Sequence, residues 1–231
     1  MYKNIKILAI VPARKGSKGL PNKNILKING KSLIKLAADF TKKIQIIDFG
    51  IISTDSRRYG LEAQRNKLNF LFKRPKELAR SFVSAEDVWR HAWKETEKIT
   101  KQNFEISIYL EPTSPIRKAS IVTKFIKNFI KSNSIVGFTV STVPLNFSAF
   151  RQFVINKKIA QSVANQKKIP SFRQKIRSTY LKNGICYVAK KDFLCTKKRI
   201  ISMKPYVEVI DHSFINIDSY KDMIQARKML S

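Results

Sequence analysis

Residues 5–24 read Ile5-Lys-Ile-Leu-Ala-Ile-Val-Pro-Ala-Arg-Lys-Gly-Ser-Lys-Gly-Leu-Pro-Asn-Lys-Asn24, an apolar run that passes directly into a loop of glycines and cations. Ile5, Ile7, Leu8, Ala9 and Ile10 predict a buried strand. In open α/β sheets ligands bind beyond the carboxyl ends of the strands. Glycine lets backbone amides turn toward an anion, and Arg14, Lys15, Lys18 and Lys23 put four positive charges within ten residues. The segment reads as a phosphate cradle, with a solvated basic turn as the plainer alternative. It is not a Walker A loop. Gly30-Lys31-Ser32 ends like one, but Ile25 stands where the first glycine belongs, and no G-x-G-x-x-G occurs.

Outward from this loop, apolar runs alternate with helical periodicity, which predicts parallel βαβ units of an α/β fold. A helix is expected from Ser32 to Lys43, a buried strand from Ile46 to Ile52 ending in Ser53-Thr54-Asp55, a helix from Arg57 to Asn66, and a short strand from Asn69 to Phe72. Ser84-Ala85-Glu86-Asp87 has the form of an N-cap with an acidic third position, opening a helix to about Lys98 that buries Val88, Ala92 and Trp89 or Trp93. A strand from Phe104 to Leu110, a helix from Ala119 to Lys131 and a strand from Ile135 to Val143 follow. The alternation then stops. Residues 144–184 are polar and basic, with short extended pieces, and suit an excursion from the sheet, either a dimerisation arm or a lid. Strands at Ile185–Ala189 and Tyr206–Ile210 and a helix from Ser219 to Leu230 return to the core.

The chain has 231 residues, which suits one α/β domain over 1–231 with the excursion inside it. No apolar run approaches the roughly 20 residues that span a bilayer, so no membrane association and a cytoplasmic location are expected. Cys186 and Cys195, with His91 and His212 elsewhere, match neither a zinc spacing nor a disulfide framework. The 46 Lys and Arg against 16 Asp and Glu give a formal charge of +30, which permits a nucleic-acid partner. The cations are spread through every predicted helix, however, and no platform of interleaved aromatics accompanies them, which argues against that reading. No Asp or Glu occurs between Glu111 and Asp192, so this stretch presents a positive field to an anionic substrate or partner.

Taken together, the motifs resemble the acylneuraminate cytidylyltransferases, the CMP-N-acetylneuraminic acid synthetase family. The resemblance rests on Ala13-Arg14-x-x-Ser17-Lys18-Gly19-x-Pro21-x-Lys23-Asn24, on Ser53-Thr54-Asp55, and on Arg74-Pro75-x-Glu77-Leu78-Ala79. It continues through Pro112-Thr113-Ser114-Pro115-Ile116-Arg117, Asn183-Gly184-x-x-Tyr187 and Ile217-Asp218-Ser219-x-x-Asp222, and so covers almost the whole chain. It implies a Rossmann-like three-layer nucleotide-diphospho-sugar transferase fold with a mostly parallel sheet and a small extended dimerisation excursion. The implied reaction transfers CMP from CTP to the anomeric hydroxyl of an acidic 2-keto sugar, releases pyrophosphate, uses magnesium and is carried out by a homodimer.

By that resemblance Arg14, Lys18 and Lys23 stabilise the triphosphate, with Lys23 nearest the α-phosphate, and Gly16, Ser17, Asn24, Arg74 and Ser84 complete the nucleotide site. Glu111, Arg173, Asn183 and Tyr187 would meet the sugar, Arg173 taking its carboxylate in a bidentate pair. Lys175 and Arg177 are neighbouring alternatives for that arginine. Asp218 and Asn216, two apart and thus on one face, would hold the metal. Asn216 replaces a family aspartate, Glu111 replaces a glutamine, and Ser219-x-x-Asp222 also reads as a helix-capping pair. The readings carried forward are a CMP-nonulosonate synthetase acting on sialic, legionaminic or pseudaminic acid, a CMP-Kdo synthetase, and a catalytically impaired member. From another class comes a nucleic-acid-binding protein.

Overall fold

A computed structural model describes residues 2–17, 19–164 and 177–230. The first strand, β1 (Ile7–Pro12), lies in the interior of a six-stranded sheet. Its alternate side chains feed two different cores, as the period of two demands. Ile7, Ala9 and Val11 join one buried cluster, and Leu8 and Ile10 join another. Residues 27–32 form a minimal hairpin, β2 (Lys27–Ile28) and β3 (Lys31–Ser32), from which α1 (Leu33–Lys43) starts. Ser32 caps α1, its hydroxyl accepting from Lys35 N at 3.0 Å.

The strand β4 (Phe49–Ser53) pairs in parallel with one edge of β1, and β5 (Ile106–Tyr109) pairs in parallel with the other. Between them lie α2 (Arg57–Arg65) and α3 (Ala85–Thr100). Both tryptophans of α3 are buried. Trp89 donates its indole N–H to Ser107 Oγ at 2.8 Å, and Trp93 donates to Glu97 Oε1 at 3.3 Å. The short strand expected from Asn69 to Phe72 does not form. That segment shadows the edge of β4, with isolated bridges Ile51↔Asn69 and Thr54↔Lys73 in place of a ladder.

After α4 (Ala119–Lys131), β6 (Val136–Thr142) enters the sheet, and the excursion contains the hairpin β7 (Phe153–Asn156) and β8 (Ile159–Ser162). Its turn, Lys157-Lys158, has φ of 46° and 66°, the backbone of a two-residue hairpin loop. Ile155 and Ile159 stand exposed on it. The next strand, β9 (Tyr180–Lys190), is longer than the expected Ile185–Ala189 and runs antiparallel between β5 and β6. An apolar run shows that a strand is buried but not which way it points. The edge strand β10 (Tyr206–Val209) lies parallel to β6, and α5 (Tyr220–Leu230) follows. The sheet order is β10-β6-β9-β5-β1-β4, mostly parallel, with helices on both faces. Among the described residues no helix is long and apolar enough to cross a membrane.

One irregularity shapes the site. Between the pairs Phe138↔Tyr187 and Val140↔Lys182, β6 contributes Thr139 alone, whereas β9 contributes the whole of Asn183 to Cys186. The surplus is absorbed by a bulge at Gly184, whose φ of +69° is in the left-handed region that favours glycine.

Candidate functional site

The loop after β1 is closed by bonds to distant parts of the chain. Lys15 N donates to Asp55 Oδ1 at 2.9 Å, which ties the loop to the end of β4, and Asn24 Nδ2 donates to the carbonyl of Arg14 at 3.1 Å. Asn22 adopts a left-handed φ of 53° and accepts from the Tyr59 hydroxyl at 3.3 Å. Gly19 packs so tightly on the C-terminal segment that a Cβ there would lie 2.6 Å from the carbonyl oxygen of Asp218. Lys23 reaches the same residue, donating from Nζ to Asp218 Oδ1 at 2.8 Å. Lys18 lies outside the described residues.

Beyond the loop opens a cleft of about 290 Å3 whose walls include Arg14, Ser17, Lys23, Asn24, Arg74 and Arg80. Gly16 is exposed on the same loop with open space around its α-carbon. Arg74 is 4% exposed and donates from Nε to Ser53 Oγ at 3.1 Å and from its terminal nitrogen to the Ser53 carbonyl. Burial pulls its guanidinium below the usual value, against the pull of Tyr109 and Asp55. Asn24 Oδ1 is buried with no hydrogen-bond partner, an acceptor at the cleft wall that a ligand donor would satisfy. Ser84 is engaged otherwise. Its hydroxyl caps α3, accepting from Asp87 N at 3.0 Å and donating to Asp87 Oδ2 at 2.6 Å, while its neighbours Val83 and Ala85 line the cleft.

A second cleft of about 330 Å3 adjoins the first, sharing Ala85, Tyr109 and Glu111 with it and adding Trp89, Lys182 and Tyr187. Glu111 therefore stands on the boundary between the two. Burial raises its carboxyl above the ordinary value, opposed by Arg117, Lys23 and Lys182. Arg117 fixes the backbone beneath. It donates from Nε to the Ile185 carbonyl at 2.7 Å and from its terminal nitrogen to the carbonyl of Glu111, and burial lowers it to about 10. Tyr187 is on the wall of this second cleft, with its phenol pushed upward by burial.

Asn183 is not on a wall. It is fully buried in the bulge, where Oδ1 accepts from Thr139 Oγ1 at 2.6 Å and from Ile185 N at 3.1 Å, and Nδ2 donates to Ser141 Oγ at 3.0 Å. With its amide so committed, it shapes β9 instead of touching a ligand in either cleft. Arg173 and Lys175 lie outside the described residues, and Arg177 is exposed.

Asn216 and Asp218 flank Ile217, which is buried and donates its N–H to the Thr113 carbonyl at 2.8 Å. Asp218 projects outward to Lys23, while Asn216 Oδ1 accepts from Ser114 Oγ. A Cβ on Gly184 would meet Asn216 Oδ1 at 2.7 Å and Glu111 Oε2 at 3.3 Å, so these oxygens converge on the bulge. Among the described residues no group of three or more His, Cys, Asp or Glu could hold a metal ion. Asp218 and Asn216 do offer hard oxygens, the donor type that magnesium takes when it completes its shell with phosphate oxygens and water. Asp222 is a cap: it accepts from Ser219 N at 2.8 Å and from Asp218 N at 3.0 Å, bonds that pull its carboxyl down.

Several residues of this site carry no signal of their own in sequence. Asp55 and Arg117 lie inside quoted motifs, but Asp55 meets the backbone of Lys15 and Arg117 that of Ile185, 40 and 68 residues away. Tyr109, Lys182 and Arg80 reach the clefts only through the sheet order and the loop after Arg74.

Comparison with known proteins adds a separate line of observation. A family model described as Cytidylyltransferase matches residues 8–143. The chain is 26% identical over 220 residues to Post-translational flagellin modification protein B of Campylobacter coli, covering 94% of this chain and 92% of that protein. It is 28% identical over 220 residues to CMP-N,N'-diacetyllegionaminic acid synthase of Campylobacter jejuni, with the same coverage of 94% and 92%. It is 34% identical over 142 residues to N-acylneuraminate cytidylyltransferase of Escherichia coli O18:K1:H7, covering 60% of this chain and only 32% of that longer protein. A solved structure of CMP:2-keto-3-deoxy-manno-octonic acid synthetase complexed with CTP superposes with a TM-score of 0.76 at 18% identity, covering 97% of this chain and 98% of the other, which is a likeness of fold.

Proposed function

The chain belongs to the cytidylyltransferase family, and we propose that it transfers CMP from CTP to the anomeric hydroxyl of an acidic nonulosonic sugar, such as sialic, legionaminic or pseudaminic acid, with release of pyrophosphate. The observation that carries this reading is the pair of adjoining clefts that share Tyr109 and Glu111, one lined by the cationic loop and the other by Lys182 and Tyr187. A donor and an acceptor substrate bound side by side meet at that boundary.

In this reading the triphosphate lies along the loop, with Arg14, Gly16, Ser17 and Lys18 about its outer phosphates and Lys23 nearest the α-phosphate. Charge builds on the α-phosphate and on the departing pyrophosphate, so fixed cations and in-line placement carry most of the catalysis. Asn24 and Arg74 hold the nucleoside, and the Ser84 turn borders it. Magnesium held by Asp218 and Asn216 would supply further charge compensation at the phosphates. Lys23 keeps Asp218 oriented toward them. On the acceptor side Tyr187 and Glu111 contact the sugar, and Arg173 pairs with its carboxylate. The whole of 1–231 serves this one reaction, in the cytoplasm where CTP is available. The exposed apolar edge of the β7–β8 hairpin supports pairing of two copies.

The test is pyrophosphate release from CTP against sialic, legionaminic and pseudaminic acids and 2-keto-3-deoxy-manno-octonic acid, with and without magnesium. Release with none of them would overturn the reading. Preference for the octonic acid would favour the second reading, a CMP-Kdo synthetase, which the likeness of fold to such an enzyme keeps in view.

A further inference from the structure

The second cleft has one wall that does not come from the sheet. Arg199, Ile200 and Ile201 border it, and they belong to a segment of two short helical turns, Lys191–Cys195 and Ile200–Met203. Such a segment has little regular backbone bonding of its own, so something else must fix where its side chains stand. Burial of Phe193, Leu194 and Ile200 in the core does part of this, and polar bonds from the first two turns of α3 add to it.

Arg90 is the main tether. It is 8% exposed, and its guanidinium donates from Nε to the Phe193 carbonyl at 3.2 Å and from Nη2 to the Lys198 carbonyl at 2.7 Å and Thr196 Oγ1 at 3.1 Å. Its remaining nitrogen, Nη1, lies 3.3 Å from Asp87 Oδ1, and the guanidinium carbon stacks 4.2 Å from the centroid of the Phe193 ring. A planar fork with five donors can satisfy a carboxylate and three acceptors of one loop at once, which a lysine cannot. Glu86 makes the second tether: Oε1 accepts from Ile200 N at 3.3 Å, and Oε2 lies 3.5 Å from Arg199 Nη1. Arg90 is thus turned toward the loop with Asp87 behind it, Glu86 bonds the loop and also borders the cleft, and Trp89 and Ala85 of the same turns face the cleft itself.

We propose that Arg90 is a positioning residue for the acceptor: it touches no substrate, and it holds the Arg199–Ile201 wall at the distance from Trp89 that the acceptor requires. The inference rests on the reading of the second cleft as the acceptor site. It assigns a task to a buried arginine that lines neither cleft, and it predicts an effect on one substrate only, because among the described residues no hydrogen bond or ion pair joins the cationic loop or Arg74 to this segment.

The experiment compares wild type with Arg90→Met, Arg90→Lys and Glu86→Ala. It measures KM for CTP, KM for N,N'-diacetyllegionaminic acid and for N-acetylneuraminic acid, kcat, the Tm, and the calorimetric Kd for each acceptor. Arg90→Met should raise the acceptor KM and Kd about tenfold or more, the scale of one or two lost charge-assisted hydrogen bonds, and leave the CTP KM within about twofold. Arg90→Lys should recover part of the loss, and Glu86→Ala should repeat it in weaker form. An unchanged acceptor KM and Kd in Arg90→Met, or a parallel rise in the CTP KM, would overturn the proposal. Should Arg90→Met fail to fold, Arg90→Lys decides it by the same criteria, because Glu86 itself borders the cleft. Wild type that binds the acceptors by calorimetry but releases no pyrophosphate would sink the transfer reading alone, whereas wild type that binds none of them would sink this inference too.

Discussion

Lys23 Nζ lies 2.8 Å from Asp218 Oδ1, and the two partners differ in environment: the lysine side chain is 11% exposed and the aspartate 80%. The asymmetry decides what each deletion does. Removing the lysine leaves an aspartate in water, where an ion pair is worth little, so Lys23→Met should change stability by less than about 1 kcal/mol. It should nonetheless lower kcat by about 100-fold or more, the scale of losing one transition-state charge contact. Turnover near the wild-type rate would remove Lys23 from the α-phosphate.

The reverse deletion strands a buried ammonium. Asp218→Ala should therefore cost about 1–3 kcal/mol in urea denaturation, and it should also raise the magnesium concentration needed for half-maximal turnover. A variant that kept both wild-type stability and wild-type metal dependence would contradict both roles of this carboxylate.

Asn216→Asp should lower the magnesium concentration for half-maximal turnover, since a second carboxylate strengthens a hard-cation site and Ser114 Oγ can still donate to it. Titration of activity with magnesium reads this directly. Abolished turnover would mean that Asn216 does not face the metal.

Gly184→Ala combines a strained backbone with a collision. At φ +69° a Cβ would meet Ser114 Oγ at 2.6 Å and Asn216 Oδ1 at 2.7 Å. A loss of about 2 kcal/mol or more is expected, together with a displaced Asn216 and weaker magnesium dependence. A wild-type Tm would show that the bulge tolerates a side chain.

Glu111 yields a pH signature. Because burial raises its carboxyl above the unfolded value, ionising it costs folding free energy. That cost is absent below the unfolded pKa, about 4.3, and is complete above the raised folded value. Glu111→Gln should thus be more stable than wild type at neutral pH, and the gap in Tm should close as the pH is lowered toward 4. A gap that widened on acidification would reverse the assignment.

Much of this was legible in the sequence wherever a local rule governs. Ser84-Ala85-Glu86-Asp87 marked the start of α3 because a cap needs only neighbouring residues, and α4 took the bounds that its apolar spacing gave. The loop at 11–24 was legible by composition as a place of exposed cations after a strand, and it does line a cleft. What depends on distant backbone was not legible. The direction of β9 and the bulge at Asn183-Gly184 follow from how β5 and β6 leave room between them. Asn183 carried a motif but turned inward, and Arg90 carried none, its acceptors lying 103 to 108 residues along the chain. The tie between Ser219 and Asp222 was readable as a cap and formed as one.

Gly19 and Lys23 both close on Asp218, some two hundred positions later in the chain. During synthesis the loop therefore emerges from the ribosome long before the residue that seats it, and Lys23 lacks its Asp218 partner until that segment docks. A contact of such sequence separation must meet a large loop-closure entropy before it forms. The geometry of the loop is thus completed only once Asp218 has been made, so a nascent or truncated molecule lacking that residue would carry the cationic loop without its seat.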